Sequence, residues 1–299
     1  MSLGGEERLD CIPGISSIRM KDLPFPPKGA TTLQRALDAF SAVSRAQCVV
    51  FTSIYELDTQ TIDSLRSRLP MPIYTPGPSI PYMFLNQEPS PPIHDHAHSS
   101  CINFLDDQPK CSVLYVSFGS FLSVSGPQIE ELSAGLVSSG VRYLWIARGD
   151  HLASFSEAAG PNGLVSPWCD QLRVLCHPSV GGFLTHCGWN STLEAVYAGV
   201  PLIAFPIFWD QLTNAKYMAE EWKVGIGLRN EVGDGGVVKA DKIAEAVRRV
   251  MDLDGEESKE LRRRARELQE SCKRAIGKDG SSLANLAAFV REIVRGHGN

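Results

Sequence analysis

No stretch of this sequence is apolar for long enough to cross a bilayer. The longest such run, VPLIAFPIFW from Val200 to Trp209, falls well short of the roughly 18–20 residues of a spanning helix. The opening MSLGGEERLD has no apolar core flanked by basic residues, so the chain is expected to be cytoplasmic, with no stable membrane insertion. A cysteine framework is missing too. The cysteines at 11, 48, 101, 111, 169, 176, 187 and 272 form no C-x-x-C pair, and reduced thiols without structural disulfides are expected. Basic excess is absent: 29 Lys and Arg stand against 34 Asp and Glu, a net charge of −5. The one basic block, RRRAR at Arg262–Arg266, keeps helical spacing with Leu261 and Leu268 and reads as a solvated helix face, so nucleic acid is not an expected partner. No G-x-G-x-x-G opens a helix after a strand, which disfavours a dinucleotide-dependent oxidoreductase. No internal repeat is visible.

What is present is alternation, in a chain of 299 residues long enough for two cores. Residues 1–77 hold a helical stretch TLQRALDAFSAVSRA, a strand run CVVFTSI, a helical ELDTQTIDSLRSRL and a short strand PIYTPG, half of an α/β layer. The VVFTSI strand is expected to lack sheet neighbours. Residues 78–109 are rich in Pro, Ser and His without sustained periodicity and are expected to be a linker. From residue 110 the pattern becomes regular, with strands SVLYVSFGS, RYLWIAR, GGFLTH, VPLIAFP and GIGL separated by helical segments. Short continuous apolar strands joined through helices predict a doubly wound parallel sheet, of α/β class, with helices on both faces. The tail from Lys239 is helical and is grouped with this domain, 110–299.

One stretch breaks the pattern. In GGFLTHCGWNSTLEA, Gly181–Ala195, a strand ends in His, Cys, Gly, Trp, Asn and Ser before a helix resumes. In a parallel sheet, ligands gather at such joints, where helix N-termini present free amides and partial positive charge. Gly188 allows the turn, and Asn190 or Ser191 could cap the helix. The plain alternative is a capping box, Ser191 with Glu194, and no ligand at all. Against it, a cap needs neither a His nor a Trp, and WCDQ upstream and FWDQ downstream repeat the aromatic-plus-amide theme at neighbouring joints. Two other constellations suggest metal. HDHAH, His94–His98, lies in the linker without ligand partners beyond Asp95, and the run between Cys176-His177 and His186-Cys187 reads as a buried strand, so no metal is expected.

The 44 residues WCDQLRVLCHPSVGGFLTHCGWNSTLEAVYAGVPLIAFPIFWDQ, Trp168–Gln211, resemble the signature box of plant family 1 UDP-glycosyltransferases, from the opening Trp through HCGWNS to the closing Asp-Gln. The resemblance extends from IPGI through VLYVSFGSFLSVS to the helical tail. It implies a GT-B fold and an inverting transfer of sugar, glucose by the closing Gln, from a UDP-sugar to a hydroxyl of a small plant metabolite such as a flavonoid. It implies a UDP-sugar co-substrate, no cofactor and no metal, and a monomer. By resemblance Trp168 stacks on the uracil, Cys169 and Gln171 hold the base and ribose side, and Glu194 accepts from the ribose hydroxyls. His186, Asn190, Ser191 and Ser120 hold the pyrophosphate beside the Gly188 turn, and Trp189, Asp210 and Gln211 hold the sugar. Residues 1–77 would then be the end of an acceptor-binding domain, 78–109 an interdomain linker and 110–299 the UDP-sugar-binding domain. The family's general base, a His oriented by an Asp, has no counterpart among the histidines at 94, 96, 98, 151, 177, 186 and 297. The chain is therefore expected to be truncated at its N-terminus. A non-catalytic UDP-sugar-binding protein is the alternative.

Overall fold

The computed structural model describes residues 7–23, 30–84, 96–119, 124–147, 159–228 and 236–296. The chain divides into two compact units, residues 1–80 with 268–299, and residues 81–267.

The first unit begins with an antiparallel pair, β1 (Arg8–Leu9) against β2 (Ile18–Arg19), followed by helix α1 (Ala30–Val43). Strand β3 (Val49–Val50), helix α2 (Thr59–Arg68) and strand β4 (Ile73–Tyr74) follow, and β3 pairs with β4 in parallel. The expectation that the VVFTSI strand has no neighbour is thus corrected: a short crossover through α2 supplies one, with Ile54, Ile62 and Ile73 buried around it.

The second unit is a six-stranded sheet in the order β10-β9-β8-β5-β6-β7, parallel throughout. A helix, α3 (His96–Asp106), precedes β5 (Val113–Ser117). Then come α4 (Gly126–Ser139), β6 (Arg142–Ile146), β7 (Gly163–Ser166), α5 (Gln171–Leu175) and β8 (Val180–Thr185). The remaining elements are α6 (Trp189–Ala198), β9 (Leu202–Ala204), α7 (Asp210–Lys216) with a π turn over Tyr217–Glu221, β10 (Gly225–Gly227) and α8 (Ala240–Met251). Strands β5 and β8 are buried at every residue, as their unbroken apolar runs require of a sheet covered on both faces. Leu114, Val116, Leu184 and Ile203 meet Leu132 and Leu136 of α4 and Val247 and Val250 of α8. Gly135 permits the close approach of α4 and α8, since a Cβ there would lie 2.7 Å from that of Ile243. From β5 the chain winds outward through β6 and β7, then returns to the other side of β5 for β8, β9 and β10. The crevice between the carboxyl ends of β5 and β8 is the topological switch point of such a sheet.

Several expectations are corrected here. Residues 78–109 contain a helix, because Cys101 and Leu105, one turn apart on α3, are fully buried. His96 and His98 fall in its first turn, not in a loop, while His94 and Asp95 lie outside the described residues. Strand β7, a Gly-headed four-residue edge, lies between RYLWIAR and GGFLTH, where the alternation of the sequence predicts no strand. RRRAR lies on α9 (Glu256–Ile276), where Arg263 and Arg264 face outward against Glu260, but Arg262 turns inward and donates to the carbonyls of Gly181 (2.8 Å) and Val250 (3.1 Å). Residues 268–299 belong to the first unit, not to a 110–299 domain. Their last helix, α10 (Ser281–Gly296), lies on β4, with Asn285 Oδ1 accepting from the Thr75 amide at 3.1 Å and Phe289 5.6 Å from the Tyr74 ring. All eight cysteines are free thiols. Among the described residues no helix is long and apolar enough to cross a membrane.

The segment leading into α8 is tied to α4 by two side chains: Glu131, which accepts from Lys239 Nζ (2.8 Å) and from the Ala240 amide (2.7 Å), and Gln128. Gln128, 2% exposed, donates to the Val238 carbonyl (2.9 Å) and accepts from the Val238 amide (2.7 Å), as a neighbouring strand would. Gln128→Leu strands both backbone groups away from water. It is expected to lower unfolding free energy by about 2–4 kcal/mol, read as a lower urea midpoint at unchanged slope.

Candidate functional site

Each strand of the switch point hands its chain to a loop at the carboxyl edge. After β7, Ser166 Oγ donates to the Trp168 carbonyl at 3.1 Å, and the Trp168 ring is left 43% exposed at the rim. Asp170 caps α5 by accepting from the Arg173 amide at 3.2 Å, which places Gln171 as the first helical residue. Its carboxamide is the hub of a half-buried cluster. The Tyr115 hydroxyl, from the centre of β5, donates to Gln171 Oε1 at 3.2 Å and lies 3.3 Å from Cys169 Sγ. With its oxygen so committed, Gln171 presents Nε2 to Ser191 Oγ at 3.0 Å and to Glu194 Oε2. Burial pushes the Tyr115 phenol far above its ordinary range, so it stays a donor, and pushes the Cys169 thiol up to about 12.

The helix behind this cluster starts differently from either expectation. Gly188 is the N-cap of α6, and no side chain caps it. Ser191 and Glu194 do not form a capping box; both turn to Gln171. The first amide bonded back into the helix is that of Thr192, to the Gly188 carbonyl at 3.0 Å. The amides of Trp189, Asn190 and Ser191 therefore have no acceptor within the helix and carry its positive end. His186, at the end of β8, stands against this terminus. Gly119 (φ +75°) and Gly188 approach its ring so closely that a Cβ would meet it at 2.9 Å and 2.5 Å respectively. Burial lowers the His186 pKa, opposed by the Ser117 backbone and the charge of Asp210, so the imidazole is neutral near pH 7. Among the described residues its buried Nδ1 has no hydrogen-bond partner.

The loop after β9 brings the last two expected residues. Gln211 is buried, and its Oε1 accepts from the amides of Ile207 (2.9 Å) and Phe208 (3.2 Å), which leaves Nε2 as the group it can offer. Asp210 opens α7 behind Trp209, whose backbone stands at φ 60°, ψ −133°. The Trp189 ring lies 6.1 Å from that of Trp222, the residue after the π turn. The structure thus brings Cys169, Gln171, Ser191 and Glu194 into one cluster, with Trp168 next to Cys169 on the loop after β7, and His186, Gly188 and Trp189 to the adjoining helix terminus. Asp210 and Gln211 sit on the next loop, and Asn190 is exposed. Ser120 lies outside the described residues. Sequence reasoning missed Tyr115, whose signal was a phenol inside an otherwise apolar strand, and Gly119, which frames His186 from β5. Among the described residues no group of His, Cys, Asp and Glu has the arrangement of a metal site.

Burial raises the Glu194 pKa above its ordinary 4.5, the Gln171 hydrogen bond opposes the rise, and Asp170 adds to it. A carboxyl raised in the fold costs stability as pH climbs from the unfolded value through the folded one. Glu194→Gln keeps an acceptor for Gln171 and removes the charge. The variant is expected to melt higher than the parent at neutral pH in the absence of ligand, with the advantage vanishing as pH falls below 4.5. Parallel melting curves across that range would show that Glu194 is not held against its charge.

Comparison with known proteins gives this edge a lineage. The family profile described as "UDP-glucoronosyl and UDP-glucosyl transferase" matches residues 72–255. UDP-glycosyltransferase 87A2 of Arabidopsis thaliana is 45% identical over 290 residues, 96% of this chain and 63% of that protein. The structure of Phytolacca americana UGT2 complexed with UDP-2fluoro-glucose and pterostilbene is matched at 34% identity and a TM-score of 0.83, over 98% of this chain and 64% of that one. Medicago truncatula UGT71G1 complexed with UDP-glucose gives 31% identity and a TM-score of 0.83, with 98% and 64% covered. The chain thus spans about 63–64% of the length of these relatives. The α/β fold is the GT-B type of those enzymes, with the six-stranded unit as its Rossmann-like sheet. The chain belongs to the UDP-glucuronosyl and UDP-glucosyl transferase family.

Proposed function

We propose that the carboxyl edge of the six-stranded sheet binds a UDP-sugar, UDP-glucose foremost, and that the protein transfers the sugar with inversion to a hydroxyl of a small phenolic. The observation that carries this reading is the exposed Trp168 ring on the loop that leads into Gln171, with a half-buried carboxylate held by that carboxamide, at the open N-terminus of α6. An exposed indole is a platform for a base, and a carboxylate is the acceptor that a pair of ribose hydroxyls needs. The free amides of α6 take the diphosphate without a metal ion, and neutral His186 adds a hydrogen-bond donor there instead of a charge. Asp210 offers an acceptor and Gln211 Nε2 a donor to neighbouring sugar hydroxyls. The phenol complex of Phytolacca americana UGT2 supports a phenolic acceptor.

In the transfer, the acceptor oxygen loses its proton to a base and attacks the anomeric carbon opposite the UDP. The carbon–oxygen bond to UDP breaks as the new one forms, and the departing negative charge is received at the helix terminus. His177 does not serve as that base. It precedes β8, at the amino edge of the sheet, where it bonds to Ser179 Oγ (2.8 Å) and Asp106 Oδ1 (3.1 Å). The 299-residue chain is therefore expected to bind donor and to transfer slowly, since positioned base catalysis contributes about 10²- to 10⁴-fold.

Calorimetry tests the site. UDP should bind much more tightly than uridine, His186→Ala should remove most of that difference, and EDTA should leave both unchanged. Trp168→Ala should weaken UDP binding by ~1–3 kcal/mol. Equal affinity for uridine and UDP in the parent would overturn the diphosphate assignment. Product assay by mass spectrometry with UDP-glucose and flavonols tests the chemistry. Binding without any transfer or hydrolysis would favour a nucleotide-sugar-binding protein, and turnover matching an intact relative would reveal a base elsewhere in the chain.

A further inference from the structure

Three residues beyond the Trp168–Gln211 box, a buried carboxamide touches two parts of the edge at once. Asn214, 8% exposed, donates from Nδ2 to the Cys187 carbonyl (2.9 Å) and to Asp210 Oδ2 (2.9 Å), one hydrogen to each. The second bond follows from helical spacing, because Asp210 and Asn214 are four apart on α7. The first crosses to the turn after β8. Both segments it holds carry backbone strain. Cys187 has φ +68° and Trp209, next to Asp210, has φ +60°, a region that non-glycine residues occupy only when their surroundings enforce it.

We propose that Asn214 is a positioning residue that fixes the diphosphate-holding turn and the sugar-holding carboxylate of the donor site as one unit; the inference rests on the donor-site reading above. The argument is geometric. A trans peptide is planar, with its carbonyl and amide pointing in opposite directions. By holding the Cys187 carbonyl, Asn214 fixes the Cys187–Gly188 peptide plane, so the Gly188 N–H points away from α7. Among the described residues that N–H has no partner, and it precedes the open amides of α6. Asn214 thereby adds a fourth amide to the positive end of the helix. Its other hydrogen takes one oxygen of Asp210 and leaves the second for a ligand. Neither bond reaches the Tyr115–Gln171–Glu194 cluster, so base and ribose recognition do not depend on it.

The test uses the whole 299-residue chain with Asn214→Ala and Asn214→Asp, titrated with uridine, UDP and UDP-glucose. Uridine affinity should stay within about twofold of the parent in Asn214→Ala, while UDP and UDP-glucose affinity fall about tenfold or more. Asn214→Asp sets an acceptor against two acceptors, so it should bind UDP more weakly still at neutral pH. It should recover as pH falls towards about 5, where a protonated carboxyl can donate again. A UDP-to-uridine affinity ratio unchanged in a folded Asn214→Ala would overturn the proposal, as would a parallel loss for both ligands. Should Asn214→Ala fail to fold, the pH dependence of Asn214→Asp decides: recovery supports the proposal and its absence overturns it. Amide NMR of the ligand-free chain separates this outcome from failure of the donor site itself. Shifts at Cys187, Gly188 and Trp209 with none at Cys169 or Gln171 support the coupling even if the parent binds no nucleotide, and unchanged Cys187 and Gly188 signals refute it.

Discussion

Glu194 is the carboxylate around which much of the carboxyl edge is arranged. Its charge is disfavoured by burial, and Gln171 is the group that answers it. A carboxamide can do so only if its nitrogen, not its oxygen, faces the carboxylate. Tyr115 settles that orientation by donating to the oxygen, and the phenol can donate because burial keeps it protonated. The chain of dependence continues outward. Asp170 starts α5 one residue before Gln171, and the same cap leaves Trp168 at the rim. A single half-buried charge thus ties together elements from β5, α5 and α6.

The two halves of the edge differ in how they meet negative charge. Near Glu194 the protein supplies a negative group and neutral donors, which suits hydroxyls. At the start of α6 it supplies amides and a neutral imidazole, with no lysine or arginine among the groups described there, which suits an anion that must later leave. On the proposed reading this difference matters chemically. Oriented amide dipoles already point at the oxygen on which negative charge develops as the sugar bond breaks, so they stabilise that charge without reorganising.

Much of the fold was legible because buried parallel strands have few disguises: VLYVS, VGGFLT and the run ending in LIAFP contain little that could face water. The winding order follows from that alternation. What escaped notice lacked such a signal. Strand β7 is a short edge opened by glycine, and α3 hides among Pro, Ser and His because only Cys101 and Leu105 mark its buried face. The grouping of 268–299 with the first unit depends on Asn285 and Phe289 meeting Thr75 and Tyr74, contacts between residues some two hundred positions apart. At the site, the types and spacings of residues were readable, but their hydrogen-bond directions were not. Ser191 and Glu194 fit a capping box by spacing, and only the position of Gln171 across the crevice shows why they turn from the helix end. Gln211 likewise reads as a polar group for a ligand, yet half of its carboxamide is spent on Ile207 and Phe208.

Cys187 raises the question of why a turn with φ +68° is not simply glycine. Glycine would relieve strain of order 1–3 kcal/mol, yet it would also let the peptide rotate in the unligated protein. The cysteine side chain is fully buried, its thiol held protonated by that burial, and it acts as a small apolar plug. The Cys187 amide donates to Thr185 Oγ1 at 3.1 Å while its carbonyl accepts from Asn214. Side chain, amide and carbonyl are thus each anchored, and the residue exchanges some stability for a turn with one conformation. That exchange is worth making only where the direction of a following N–H matters, and here the next residue is the N-cap of the helix whose open amides face the crevice.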